Sequence, residues 1–411
     1  MDYISTRAEL ETQIDWPVTR LDDALSAGLA PDGGLYVPTN IPTLNTASLE
    51  YSAALPTLAK ALLQPFFEAS RLVESLPSIC DEALNQPLPI VPLSGDDAAW
   101  ILELFHGPTA AFKDFAARFL AGCLAALQRR SQTHQTVLVA TSGDTGAAVA
   151  SAFHLRPGFS VVILYPDGKV SPRQAHQLGA FGGNVRCYRV QGTFDHCQAL
   201  AKQALRDHEL VRAIGLTSAN SISIGRLLPQ ITYYAYAALK LGKPDAPLNV
   251  IVPTGNLGNA LACVLAREMG MPIGRIVLAT NANRTLADFF QDRTYRGRPG
   301  LATLANAMDV GDPSNFERLA WLFRQRDLHR ANLLAESIDD QTIRQSIERV
   351  FLESDYVVCP HTACAMELLH RFRQQGDQQR WMVAATAHPA KFESIVEDVI
   401  GRPVPPPLAL A

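Results

Sequence analysis

One lysine stands where an ammonium is hard to accommodate. In the run Glu103-Leu104-Phe105-His106-Gly107-Pro108-Thr109-Ala110-Ala111-Phe112-Lys113-Asp114-Phe115, Gly107-Pro108 marks a turn, and an apolar helical pattern follows to about Leu127. At 3.6 residues per turn, Lys113 shares one helix face with Ala116, Ala117, Leu120, Leu124 and Leu127. Burial penalises the charged form of lysine and lowers its pKa. A neutral, nucleophilic amine is what a Schiff base with an aldehyde requires. A lysine near a helix start can also snorkel its head to water, and the pattern alone leaves both readings open.

Three further stretches fall where a strand should hand over to a helix. Thr254-Gly255-Asn256-Leu257-Gly258-Asn259 combines glycines, which permit close backbone approach, with amides at a helix start, which suit a phosphate. It has neither the Lys-Ser/Thr pair of a nucleotide P-loop nor the third glycine of a dinucleotide fingerprint. Ser142-Gly143-Asp144-Thr145-Gly146 can hold a carboxylate or phosphate with its hydroxyls and free amides, or simply cap its helix through Ser142 or Asp144. Thr386, in Thr386-Ala387-His388-Pro389-Ala390-Lys391, ends the last strand pattern, and strand carboxyl ends line the ligand crevice of open α/β sheets. A Schiff-base lysine, a phosphate cradle, an anion loop and a strand-end hydroxyl together match what pyridoxal phosphate needs.

The elements that must position these groups alternate. Short apolar runs at 136–140, 160–165 and 185–190 are each followed by a helical pattern, and runs at 248–252, 275–280, 356–358 and 381–387 recur later. Such alternation predicts parallel strands with crossover helices. Segment 223–241 reads as one long helix. Residues 1–92 lack the alternation. There, segments 46–64 and 65–85 read as helical, and Asp32 to Pro38 as a turn and short strand. The expected organisation is an N-terminal subdomain at 1–92, a large α/β domain from 93–135 with 243–411, and a smaller α/β domain at 136–242.

Composition narrows the class. The 411 residues carry 18% charged side chains and a formal net charge of −4, so no basic surplus marks a nucleic-acid or anionic-membrane partner. The start, Met1-Asp2-Tyr3-Ile4-Ser5-Thr6, does not read as a signal peptide, no apolar run is long enough to span a bilayer, and the seven cysteines are scattered. A reducing, cytoplasmic setting is expected. Cys359, His361 and Cys364 lie close in sequence, but their spacing fits no common zinc pattern, and no metal is expected.

The chain resembles the threonine synthase family in its bacterial and fungal branch. The matching runs are Glu103 to Thr109 with Ala111 to Phe115, Ala140-Thr141-Ser142-Gly143-Asp144-Thr145-Gly146-Ala147-Ala148-Val149, Ser218-Ala219-Asn220-Ser221-Ile222, Asn306-Ala307-Met308-Asp309-Val310 and Thr386 to Phe392. Gly33 to Pro38 also looks like that family's N-terminal segment. The resemblance implies a fold-type II pyridoxal phosphate enzyme, related to the tryptophan synthase β chain. It implies conversion of O-phospho-L-homoserine and water to L-threonine and phosphate. By resemblance Lys113 carries the cofactor as a Schiff base, Gly255, Asn256, Leu257, Gly258 and Asn259 cradle its phosphate, and Thr386 meets its pyridine nitrogen. Thr141, Ser142, Asp144 and Thr145 would hold the substrate carboxylate. Lys169, Ser218, Asn220 and Arg226 are candidates for the substrate phosphate, with Arg226 favoured for its bidentate fork.

Leu257 and Asn259 stand where this branch often has Phe and Asp. Asp144 stands where more distant relatives have an Asn that donates to the cofactor, which an ionised aspartate cannot do. Asp144 must therefore be protonated, point elsewhere or act on substrate. The rival readings are a serine or threonine dehydratase on the same cofactor and a non-catalytic phosphate-ligand binding protein. The oligomer expected is a monomer or homodimer.

Overall fold

The computed structural model describes residues 1–8, 18–46, 49, 53–131, 133–292, 294–324 and 332–410. Near the N-terminus, β1 (Asp2–Ser5), β2 (Thr19–Arg20) and β3 (Tyr36–Pro38) form a small antiparallel sheet in the order β2-β1-β3. The remaining strands are β4 (Ile90–Pro92), β5 (Ala99–Glu103), β6 (Gln135–Ala140), β7 (Phe159–Pro166), β8 (Val185–Val190), β9 (Leu216–Ser218), β10 (Leu248–Pro253), β11 (Ile273–Thr280), β12 (Leu333–Ser337) and β13 (Trp381–Ala385). They build a six-stranded sheet, β12-β11-β10-β13-β5-β4, and a four-stranded sheet, β8-β7-β6-β9. All pairings in these two sheets are parallel except β4 with β5.

The hydrophobic order of β10, Leu-Asn-Val-Ile-Val-Pro, explains its central place. All six residues are buried, and successive side chains feed opposite faces. Val250 and Val252 join one core with Leu102, Leu278, Met382 and Ala384, while Ile251 joins another with Ile101, Val277, Val383 and Ala385. A one-residue slip would exchange these sets, so the registers Ile251↔Val383 and Ala385↔Glu103 are strongly specified. That register brings the carboxyl ends of β10, β13 and β5 together, which is where the chemistry-bearing loops leave the sheet.

The helix Lys113–Ser131 is buried along most of its circumference between Phe115 and Leu127, as expected of a helix enclosed by others. Its start is fixed to the strand ends by backbone bonds. Phe112 N–H donates to Thr386 O at 2.9 Å, and His388 N–H donates to Ala110 O at 3.0 Å. No helix among the described residues is long and apolar enough to cross a membrane.

Several elements depart from the expectations. Segment 223–241 is two helices, Ile224–Leu227 and Gln230–Leu241, separated at Leu228-Pro229, because proline cannot supply the amide that would continue the ladder. Residues 356–358 are not a strand; they form an irregular link into the helix Pro360–Gln374. The two N-terminal helices are shorter than expected, Leu55–Phe67 and Leu76–Ala83, and residues 47, 48 and 50–52 of the first segment lie outside the described residues. β4, within residues 1–92, joins the six-stranded sheet.

Candidate active site

The cradle loop is shaped by its backbone. Leu257 has φ +64°, a left-handed conformation that a bulky residue adopts only when its surroundings impose it, and its side chain is buried. At Gly255 an added Cβ would lie 2.7 Å from Met308 Cα, so only glycine lets the two backbones approach this closely. Gly258 then opens the helix Gly258–Glu268, whose first amides have no carbonyl of a preceding turn to meet. The Asn256 side chain faces away from the cradle, donating to Ser221 Oγ at 2.5 Å and accepting from Ser314 N–H at 2.6 Å. Asn259 accepts from Tyr233 and Tyr234 hydroxyls at 2.6 and 3.0 Å, and its buried Nδ2 has no partner among the described residues.

These residues line one pocket with Phe112, Lys113, Ser142, Asp144, Thr145, Asn220, Arg226, His361 and Thr386. The structure thus unites the lysine, the cradle, part of the anion loop and the strand-end hydroxyl. Lys113 projects into it with 14% of its side chain exposed, its Nζ 3.8 Å from Asp144 Oδ2 and 4.9 Å from the Phe112 ring centre. Burial pushes its pKa down to about 8, with Lys391 and Arg226 acting in the same direction and Asp144 opposing.

Asp144 is ionised and engaged elsewhere. Burial alone would raise its pKa, but Lys391, ahead of Lys113, pulls it well below the usual carboxylate range. Its Oδ1 accepts from Lys391 Nζ at 2.8 Å and from Gln174 Nε2 at 2.9 Å. Of the three readings left open above, a protonated Asp144 is the one this arrangement disfavours.

Arg226 is the other unusual charge. Its guanidinium is buried and donates from Nη1 to Ala219 O at 2.6 Å, while Nε has no partner among the described residues. Burial lowers its pKa to about 10. Arg318, equally buried, has its fork filled by Tyr36 O, Ser221 O, Ile222 O and Asn315 Oδ1. Arg226 has no such set, nor a carboxylate within ion-pair distance among the described residues.

Three expected residues are placed otherwise. The Thr141 hydroxyl accepts from Gly143 and Gly146 N–H, both at 2.9 Å, so it ties the anion loop together rather than lining the pocket. Ser218 is fully buried and accepts from Asn220 N–H at 3.2 Å. Lys169 lines a neighbouring cleft of about 620 Å³, which meets the Lys113 pocket at Ser142 and Phe194. Asn220 does line the pocket, but its amide clamps Ala140, taking its N–H at 3.0 Å and donating to its O at 2.6 Å.

Lys391, Gln174 and His361 were not expected at the site. His361 is buried, with its pKa pushed down by burial to about 4, and its Nε2 accepts from Ala307 N–H at 3.0 Å. It therefore serves as a neutral prop for the loop that carries Met308. The lone lysine of the apolar run Pro389-Ala390-Lys391-Phe392 was the signal available for Lys391.

A parallel α/β sheet with a depressed-pKa lysine, orphan donors on Asn259 and Arg226, and a glycine cradle at strand carboxyl ends fits a pyridoxal-phosphate enzyme. Comparison with known proteins agrees. A profile described as "Pyridoxal-phosphate dependent enzyme" matches residues 83–387, and one described as "Threonine synthase N terminus" matches residues 2–84. The threonine synthase of Escherichia coli (strain K12) is 40% identical over 391 residues, covering 94% of this chain and 90% of that protein. The crystal structure of threonine synthase from Escherichia coli superposes with TM-score 0.90 at 38% identity, covering 100% of this chain and 94% of that one. A PLP-bound threonine synthase from Brucella melitensis gives TM-score 0.89 at 34% identity, covering 100% and 93%. The chain belongs to the threonine synthase family, as a fold-type II pyridoxal-phosphate-dependent lyase.

Proposed function

We propose that the Lys113 pocket converts O-phospho-L-homoserine and water to L-threonine and phosphate. The observation that carries the reading is Arg226, a buried guanidinium with an unfilled donor and no carboxylate partner among the described residues. An uncompensated buried cation is unfavourable by several kcal/mol, and an anionic ligand offsets that. Two phosphates are available in this chemistry, that of the cofactor and that of the substrate, beside the substrate carboxylate. The opening amides of Gly258 and Asn259, with the free Asn259 Nδ2, suit the first. Arg226 suits the second, because its fork can take two oxygens at once.

When bound, pyridoxal phosphate supplies the electron sink for charge at Cα. The chain's residues do the rest. Lys113, its pKa near 8, is available as a free amine to bond the aldehyde and to move protons at Cα and then Cβ of the substrate. The Cγ–O bond to phosphate breaks, Cγ takes up the equivalent of the proton lost from Cβ, and water adds its hydroxyl to Cβ while its remaining proton ends on the released phosphate. Ser142 and Thr145, at the start of the helix Asp144–Phe153, are placed to donate to the substrate carboxylate. Thr386 follows β13 directly and presents a neutral hydroxyl for the pyridine nitrogen.

The test is borohydride reduction of the yellow holoenzyme, followed by peptide mapping, with phosphate and threonine measured from phosphohomoserine. The cofactor should be fixed on Lys113. Lys391 is the informative competitor, since it lies in the same charge cluster but is fully buried and tied by two hydrogen bonds. Label on Lys391, or absence of threonine, would overturn the reading.

A further inference from the structure

Two lysines converge on one carboxylate, Asp144, at the floor of this site. Lys391 has no exposed side-chain surface, and its Nζ lies 2.8 Å from Asp144 Oδ1 and 2.7 Å from Thr109 O. Thr109 binds in turn to Asp114, the neighbour of Lys113, through its N–H at 2.9 Å and its hydroxyl at 2.6 Å. Asp114-Thr109-Lys391-Asp144 is thus a continuous hydrogen-bonded chain running behind Lys113. Gln174, on the helix Pro172–Gly179, holds the same Oδ1 of Asp144 at 2.9 Å. Only Oδ2 faces Lys113, at 3.8 Å, beyond hydrogen-bonding distance.

We propose that Lys391 is a positioning residue for Lys113: by holding Asp144 through Oδ1, it keeps that carboxylate from closing on Lys113, so that Lys113 is the lysine of the pair that sheds its proton. The other titratable groups facing Lys113 are Asp114 on its own helix, Arg226 on the helix Ile224–Leu227 and the neutral His361 on the helix Pro360–Gln374, and none pairs with it among the described residues. Asp144 is therefore the group that decides the balance, and Lys391 decides where Asp144 spends its charge. The inference rests on Lys113 being the Schiff-base lysine, but its test reads the titration of the lysine itself, so it can fail while the borohydride assignment stands.

The experiment is competitive trace acetylation of the full-length apoenzyme over a range of pH, read as modification of the Lys113 peptide by mass spectrometry. Wild type should show half-maximal reactivity near pH 8. Lys391→Met and Lys391→Gln free Asp144 to pair with Lys113, and should move that midpoint up by about one unit or more, at least roughly fivefold less free amine at pH 8. Lys391→Arg keeps the charge and should stay near wild type. An unchanged or lowered midpoint in the folded neutral variants would overturn the proposal, since a merely structural lysine would not set the titration of Lys113. If the neutral variants do not fold, wild type still decides: a Lys113 midpoint at the ordinary lysine value, about 10.4, would show that Asp144 is not held off it.

Discussion

Replacing Arg226 by methionine separates a residue kept for the fold from one kept for an anion. Methionine fills similar volume without charge. The fall of the Arg226 pKa from its ordinary value to about 10 corresponds to on the order of 3 kcal/mol of unreturned desolvation. Because the folded-state pKa is depressed, that penalty is fully present below about pH 10 and is relieved only as pH rises above it. Against the relief stands the lost hydrogen bond to Ala219 O, about 1.5–3 kcal/mol for a charged donor. The two nearly cancel, leaving apoenzyme stability within about 0–2 kcal/mol of wild type, on the stabilised side. With unfolding entropy near 2.1 cal/mol/K per residue, each kcal/mol moves the Tm of this 411-residue chain by only roughly 1 °C. The apoenzyme Tm of Arg226→Met should therefore stay level or rise by about 1–2 °C. Substrate recognition should fall far more, since losing a charge-assisted bond to phosphate lowers kcat/KM by roughly ten- to a hundredfold. Arg226→Lys should share much of that loss, because a point charge does not reproduce two parallel bonds. The assays are apoenzyme calorimetry and phosphate release from phosphohomoserine. A Tm several degrees lower with kcat/KM unchanged would show that Arg226 serves the fold, and the phosphate site would lie elsewhere.

Two further outcomes test the cradle and the cleft beside it. Gly255→Ala should weaken cofactor retention tenfold or more, because the added carbon meets Met308 backbone at 2.7 Å; equilibrium titration of apoenzyme with pyridoxal phosphate, against wild type, checks it. Asp309, in the cleft containing Lys169, has its pKa raised by burial to about 7 despite bonds from Thr303 and Asn281, so its ionisation opposes folding: stability is fully present near pH 4 and declines as pH rises through about 7, a decline in Tm that Asp309→Asn should flatten.

What the sequence disclosed and what it withheld follow from the range of the interactions involved. The strand runs of β10 and β13 were readable because strands buried on both faces are continuously apolar, and β6 and β7 because their apolar runs are followed by helical patterns, as is the largely exposed β8. β5 and β12 were not, since their partly exposed, mixed patterns acquire meaning only beside the strands they pair with. The same division holds in the site. Lys113 announced itself locally, as a charge on an apolar helix face. Lys391 lies 278 positions away and carries no periodic signal that distinguishes a buried ion pair from a snorkelling lysine. Its role appears only when the bridge Ala111↔Ala387 brings the two segments together. The position of Asp144 between two lysines also shows why resemblance alone left its protonation open. A carboxylate facing only the cofactor would have to be neutral to donate, but one bound by Lys391 at 2.8 Å is stabilised as the anion. The departure at Asp144 and the buried Lys391 are therefore one physical arrangement, in which a second lysine supplies the charge that the aspartate requires and leaves Lys113 free to act as an amine.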